Sequence, residues 1–164
     1  CGARRLVLTN ACGSLRAVSQ GALVVCDHVV DLQMPPAGTA PECLSVCSPE
    51  EAARIVTGLN AASCADDAPP SVAGAYVAVL GPQFETPAEV RWLARYGAVV
   101  GMSAAPEVRA ARGTGVECLL LAVVVNQAAA VGSHDDVLAT AGRYSSGLAA
   151  GLIIAAKARW PELA

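Results

Sequence analysis

Residues 81–107, GPQFETPAEVRWLARYGAVVGMSAAPE, decide how the chain is to be read. Gly81-Pro82 is a turn signal, and Thr86-Pro87-Ala88-Glu89 follows as a capping box with proline at the first helical position. The helix that this box opens is expected to run through Trp92, Leu93 and Tyr96 and to stop at Gly97. Ala98-Val99-Val100 then reads as a short strand, Gly101-Met102-Ser103 as its exit, and Ala105-Pro106-Glu107 as the start of another helix. Phe84, the only phenylalanine in the chain, stands beside the Glu85 carboxylate at a turn between elements. Ser103 falls where a strand gives way to a helix, a place where hydroxyls and free N–H groups meet anions. Taken singly, Glu85 reads better as a solvated turn residue and Ser103 as a helix-entry hydroxyl.

On the amino-terminal side, Leu6-Val7-Leu8 is a strand expected to run into a small-residue turn, Thr9 to Leu15. Such a turn at a strand's carboxyl end lets backbone approach a ligand closely. A second strand begins at Gly21 to Val25 and continues toward Asp27-His28-Val29-Val30-Asp31-Leu32, with His28 read as structural. Residues 33–47 read as a Pro-rich loop, Ser48-Pro49-Glu50-Glu51 as a second capping box for a helix to about Leu59, and residues 60–75 as another loop. Tyr76 to Leu80 is the strand that delivers the Gly81-Pro82 turn. Downstream, Val116 to Val125 is the most apolar strand and ends at Asn126. Ser133-His134-Asp135-Asp136 is then expected to cap one long helix reaching about Trp160, with Gly147 and Gly151 as close-packing positions. Strands alternating with helices give an α/β fold with a largely parallel sheet, and residues 1–164 read as a single domain.

Composition supports that class. The 164 residues are 54% hydrophobic but only 4% aromatic, so Ala, Val and Leu build the interior, as in a sheet buried on both faces. A net charge of −3 with 11 scattered basic residues argues against nucleic acid as a partner. Polar residues and glycines interrupt every apolar run before about 20 residues, which argues against a membrane span. The seven cysteines are odd in number and lie mostly in apolar runs, so they read as reduced thiols of a soluble, cytoplasmic protein. Cys43 and Cys47 lack the partner ligands of a zinc site, and no metal is expected.

GPQFET followed by VGMSAAPEV resembles the homotrimeric purine nucleoside phosphorylases, whose pattern is GPxFET or GPxYET and then VGMSTVPE. TNACGSL at residues 9–15, DHVVDL at 27–32 and VVVNQAAA at 123–130 resemble further segments of that family, with Cys12, Ser14 and Val125 in place of its commoner Ala, Gly and Thr. The resemblance implies a mixed, largely parallel, partly barrel-like sheet flanked by helices, and a chain that carries the carboxyl-terminal portion of such an enzyme without the amino-terminal phosphate loop. It implies phosphorolysis of inosine and guanosine or their deoxy forms, with inorganic phosphate as co-substrate, no other cofactor, and a homotrimer. By the same resemblance Ala11 and Ser103 would bind phosphate, Ala11 also contacting the sugar. Phe84 would pack on base and sugar, Val100 would line the base pocket, Met102 would lie on the ribose, and His134 would meet the 5′-hydroxyl. Glu85, acceptor-only when ionised, would take the N1–H of a 6-oxopurine, while the Asn126 amide donates to N7 or O6. A methylthioadenosine phosphorylase is the near relative to weigh, and Asn126 speaks against it because a 6-amino group needs an acceptor. A noncatalytic nucleoside-binding remnant or assembly subunit is the reading from another class, and without the phosphate loop the chain alone is expected to turn over poorly.

Overall fold

The apolar run Cys118–Val125 becomes the hub of the molecule. In the computed structural model, which describes residues 2–34, 40–62, 69–129 and 134–163, it lies in strand β6 (Glu117–Gln127) with every one of its eight residues buried. Alternation along β6 divides them between two faces. Cys118, Leu120, Ala122 and Val124 pack with Val24, Tyr76, Val99 and Val108, whereas Leu119 and Leu121 pack with Ile55, Leu59 and Ala155. A strand used on both faces needs an unbroken apolar run, and each fully buried leucine contributes roughly 1.5–3 kcal/mol.

Both edges of β6 are used as well. One pairs in parallel with β1 (Arg5–Ser14), the other antiparallel with β2 (Leu23–Asp31). β3 (Glu42–Ser45), β4 (Val72–Ala78) and β5 (Val99–Gly101) complete the order β3-β2-β4-β5-β1-β6, and the β2–β6 pairing closes five of the strands into a ring with β3 appended to β2. The β1–β6, β2–β4 and β4–β5 ladders are parallel and the other three antiparallel. The sheet is therefore mixed, its longest ladder parallel, and barrel-like.

Helices cover the ring. α1 (Pro49–Ala62) and α5 (Ser145–Arg159) lie together against one side, while α3 (Ala105–Gly113) buries Ala105, Val108 and Ala111 in the β4–β5 cluster. α2 (Pro87–Leu93) seats Leu93 over Leu15, Val30, Val77 and Val100. Its start is the expected capping box: Thr86 Oγ1 accepts from Glu89 N–H, and the Glu89 carboxylate accepts from Thr86 N–H at 2.8 Å. Ser48 Oγ accepts from Glu51 N–H at 3.2 Å at the start of α1.

Several expectations are corrected. Thr9 to Ser14 is not a turn but the second half of β1, where an irregularity between Cys12 and Gly13 is absorbed without ending the β6 pairing. The loop at 33–47 contains β3, because Cys43 and Leu44 find partners in Val30 and Val29, and β4 begins at Val72 within the supposed loop of 60–75. α2 ends at Leu93, and Tyr96 lies in the turn beyond. The long carboxyl-terminal helix is two: α4 (His134–Arg143) and α5 meet at a 60° bend at Tyr144, whose ring packs directly on Gly21. Ser133, the expected cap, lies outside the described residues. Gly151 is a close-packing position against Leu23, but Gly147 meets nothing. No single helix is long and apolar enough to cross a membrane among the described residues.

One buried charge ties sheet to helix. Asp31, at the end of β2, is fully buried and pairs with the Arg109 guanidinium from α3, which also lies 3.6 Å from Glu42. Removing the cation would leave an uncompensated interior carboxylate. Arg109→Ala is expected to cost about 3–5 kcal/mol of unfolding free energy in urea denaturation, far beyond a typical surface change.

Candidate active site

The carboxyl ends of β4 and β5 bring the two sequence blocks together. β4 leads into Gly81 to Thr86 and β5 into Met102 and Ser103, while β1 and β6, the latter carrying Asn126, run the opposite way around the ring. β4 and β5 run side by side as far as Ala78 and Gly101, with Val79 N–H donating to the Gly101 carbonyl at 2.9 Å, and then diverge. Gly81 has φ +68°, a conformation open to glycine, and a Cβ there would collide with the Met102 thioether. That contact docks the Phe84–Glu85 loop on the Met102–Ser103 loop.

Ser103 is exposed and held from two sides. The Asn10 carboxamide of β1 donates to its Oγ at 3.3 Å, and its own N–H lies 3.4 Å from the hydroxyl of buried Tyr76. Burial pushes the Tyr76 phenol well above its ordinary range, so it stays protonated. Ala105 N–H donates to the Ser103 carbonyl at 2.9 Å across Ala104, whose φ is +69°. This is a γ-turn of the rare, strained kind, and it sets Ser103 at the amino-terminal end of α3.

Asn126 is half-buried in the β6 register opposite Gly13, and a Cβ on Gly13 would lie 3.5 Å from Asn126 Oδ1. One amide hydrogen goes to the Gln127 carbonyl at 3.1 Å. Ala11 lies three residues before Ser14 in β1, paired with Val123. Ser14 itself, the last residue of β1, is buried; its hydroxyl accepts from Val18 N–H at 3.2 Å, and its backbone does not need glycine.

Glu85 is half-buried, and burial first, then Glu89 nearby, raises its carboxyl above the ordinary value, against a lowering from its own backbone N–H. Phe84 is 38% exposed on the same loop. Val100 is buried beneath α2 with Val77 and Leu93, behind the loops. His134 opens α4, but its side chain and residues 130–133 lie outside the described residues. His28 is occupied locally, with Nδ1 2.8 Å from Asp27 Oδ1.

Sequence alone does not assign Asn10 or Tyr76 to the site: Asn10 lies inside the TNACGSL segment, whereas Tyr76 has only its place in a strand. A cavity of about 920 Å³ opens elsewhere, between the end of α1, Pro69, Tyr144 and α5. It shares no residue with the motif loops, and Asn60 on its wall is spent on both backbone groups of Ser71. Convergent polar groups identify a site better than volume does, so the loop cluster is the candidate. Among the described residues no group of three or more His, Cys, Asp or Glu could hold a metal ion.

The chain matches the family model of the phosphorylase superfamily over residues 1–154. It is 38% identical to a purine nucleoside phosphorylase of Mycobacterium leprae over 151 aligned residues, taking in 84% of this chain and 52% of the relative. To purine nucleoside phosphorylase 1 of Geobacillus stearothermophilus it is 33% identical, with 85% and 55% covered. The crystal structure of a Schistosoma purine nucleoside phosphorylase with hypoxanthine superposes with a TM-score of 0.78 at 25% identity, over 94% of this chain and 61% of that one. The chain thus spans about half the length of the curated relatives it matches.

A carboxyl raised by burial makes the folded state bind a proton the unfolded state releases. Its stabilising effect is full below the ordinary value of 4.5 and is lost as pH rises through the higher folded value. Glu85→Gln removes that dependence. It is expected to raise the melting temperature relative to the unmutated chain at pH 7, with the difference vanishing below about pH 4 in paired thermal melts.

Proposed function

The chain belongs to the phosphorylase superfamily, and on that premise we propose that it takes part in phosphorolysis of 6-oxopurine nucleosides such as inosine and guanosine. The products are the free base and the pentose 1-phosphate, as in purine salvage. The observation that carries this reading is the Gly81–Met102 contact. It folds GPQFET and VGMSAAPE together at one edge of the ring, where Ser103 also meets Asn10 of β1.

Each group then has a task its chemistry suits. The Glu85 carboxylate is poorly solvated, so its ionised form gains by accepting the N1–H of a 6-oxopurine and the amino group of guanine. Asn126 retains an amide hydrogen for N7 or O6, and a donor there stabilises the negative charge that the departing base develops. Phe84 and Met102 supply apolar contact to base and sugar, and His134 a donor toward the 5′-hydroxyl. Ser103 Oγ, oriented by Asn10, and the backbone at Ala11 hold phosphate below the sugar. Phosphate is the co-substrate, with no metal or organic cofactor. In this reading the protein is a cytoplasmic homotrimer, and the unpaired thiols of Cys12, Cys26, Cys43, Cys47 and Cys118 suit a reducing compartment.

The reading is tested by calorimetry on the purified chain with hypoxanthine and adenine. Hypoxanthine is expected to bind, and Glu85→Gln to weaken it by roughly 1–3 kcal/mol, the range for a lost charge-assisted hydrogen bond. Unchanged affinity would remove Glu85 from the base site.

Asn126→Asp makes its position acceptor-only, which repels O6 and accepts from a 6-amino group. The adenine-to-hypoxanthine affinity ratio should then rise at least about tenfold, or roughly 1.4 kcal/mol. If both affinities fall together, Asn126 is a strand-end residue and not a base contact.

A further inference from the structure

Three strands end together beside the candidate site, and one side chain joins their exits. Leu32 N–H donates to the Ala78 carbonyl at 2.9 Å, and Val79 N–H to the Gly101 carbonyl at 2.9 Å, as the last backbone links between β2, β4 and β5. Beyond them β4 turns into Gly81 and the Phe84–Glu85 loop, while β5 turns into Met102 and Ser103. In a continuing parallel ladder the Val79 carbonyl would receive the next N–H of the neighbouring chain. Ser103 N–H is instead directed at Tyr76, and the carbonyls of Val79 and Met102 both accept from Gln33 Nε2, each at 2.9 Å.

Gln33 is well placed for this. Its backbone N–H donates to Asp31 Oδ1 at 2.8 Å, and Asp31 is the buried carboxylate paired with Arg109 of α3. The helix that begins just after Ser103 therefore anchors, through Arg109 and Asp31, the residue that clamps both loops. A primary amide is the one neutral side-chain group with two hydrogens on a single nitrogen, and here each goes to a different loop.

We infer that Gln33 is a positioning residue of the site: its amide sets the spacing between the loop carrying Phe84 and Glu85 and the loop carrying Met102 and Ser103. Gln33 contacts no reacting group itself. The inference rests on the loop cluster being the binding site, but its geometry is testable without a ligand.

Amide hydrogen exchange on the full chain decides it. In the unmutated protein both Gln33 Nε2 hydrogens should exchange slowly with water in NMR spectra, and fast exchange of either overturns the assignment. Gln33→Leu removes the donors, while Gln33→Glu keeps the shape but places an acceptor before two carbonyls. Both are expected to speed exchange at 79–86 and 101–104 by at least about tenfold with β6 left protected, the isosteric Glu variant at least as strongly as Leu. If Gln33 merely filled space, Glu would be the milder change, and that order, or unaltered exchange, would overturn the proposal. Hypoxanthine affinity should fall about tenfold in both variants. Failure of the unmutated chain to bind hypoxanthine would sink the functional reading alone, since the exchange result stands without it.

Discussion

Everything in this molecule hangs on β6 having partners along both edges. Parallel pairing with β1 and antiparallel pairing with β2 turn an open sheet into a ring, and a ring has no free edge at that strand. With both faces buried too, β6 has almost no freedom to slip, since a shift of one residue would exchange its two apolar faces. Asn126 inherits that rigidity. It leaves the strand at a position fixed to Gly13 of β1, so its carboxamide is aimed by the whole barrel and not by a flexible turn.

The other half of the site is built by divergence. β4 and β5 are held in register up to Ala78 and Gly101 and then separate, which opens space but strands backbone acceptors. Buried acceptors without partners are costly, and the Gln33 amide removes that cost while holding the separated loops. Asp31 and Arg109 supply the anchorage behind it. The charged pair is worth most as a fixed point, because desolvation offsets much of its attraction.

Strain and burial sit where chemistry would use them. Ala104 adopts a positive φ that costs on the order of 1–3 kcal/mol, and the surrounding contacts of Ser103 with Asn10 and Tyr76 hold it there. Glu85 is kept partly out of water, which raises the energy of its charged form and so increases what a donor on a bound base can return. Both are forms of preorganisation: the folding energy of the barrel is spent on orienting groups before any ligand arrives.

Much of this was legible in the chain itself. The capping box at Thr86 to Glu89 and the two-faced apolar run at 118–125 are local patterns, and each became the element its pattern demands. The motif residues Glu85, Ser103 and Asn126 were legible as strand-end and turn positions for the same reason. What only the tertiary structure decided is where local signals were weak or misleading. TNACGS looks like a turn because its residues are small, yet it stays in β1 because β6 offers a full ladder of partners. Residues 134–159 carry no internal breaker strong enough to predict two helices, and the ring of Tyr144 at the bend packs on Gly21, more than a hundred residues away. Gln33 stood in an irregular Pro-rich stretch with no period at all. Its importance comes from two carbonyls on loops 46 and 69 residues distant, and pairings at that range are written in the fold alone.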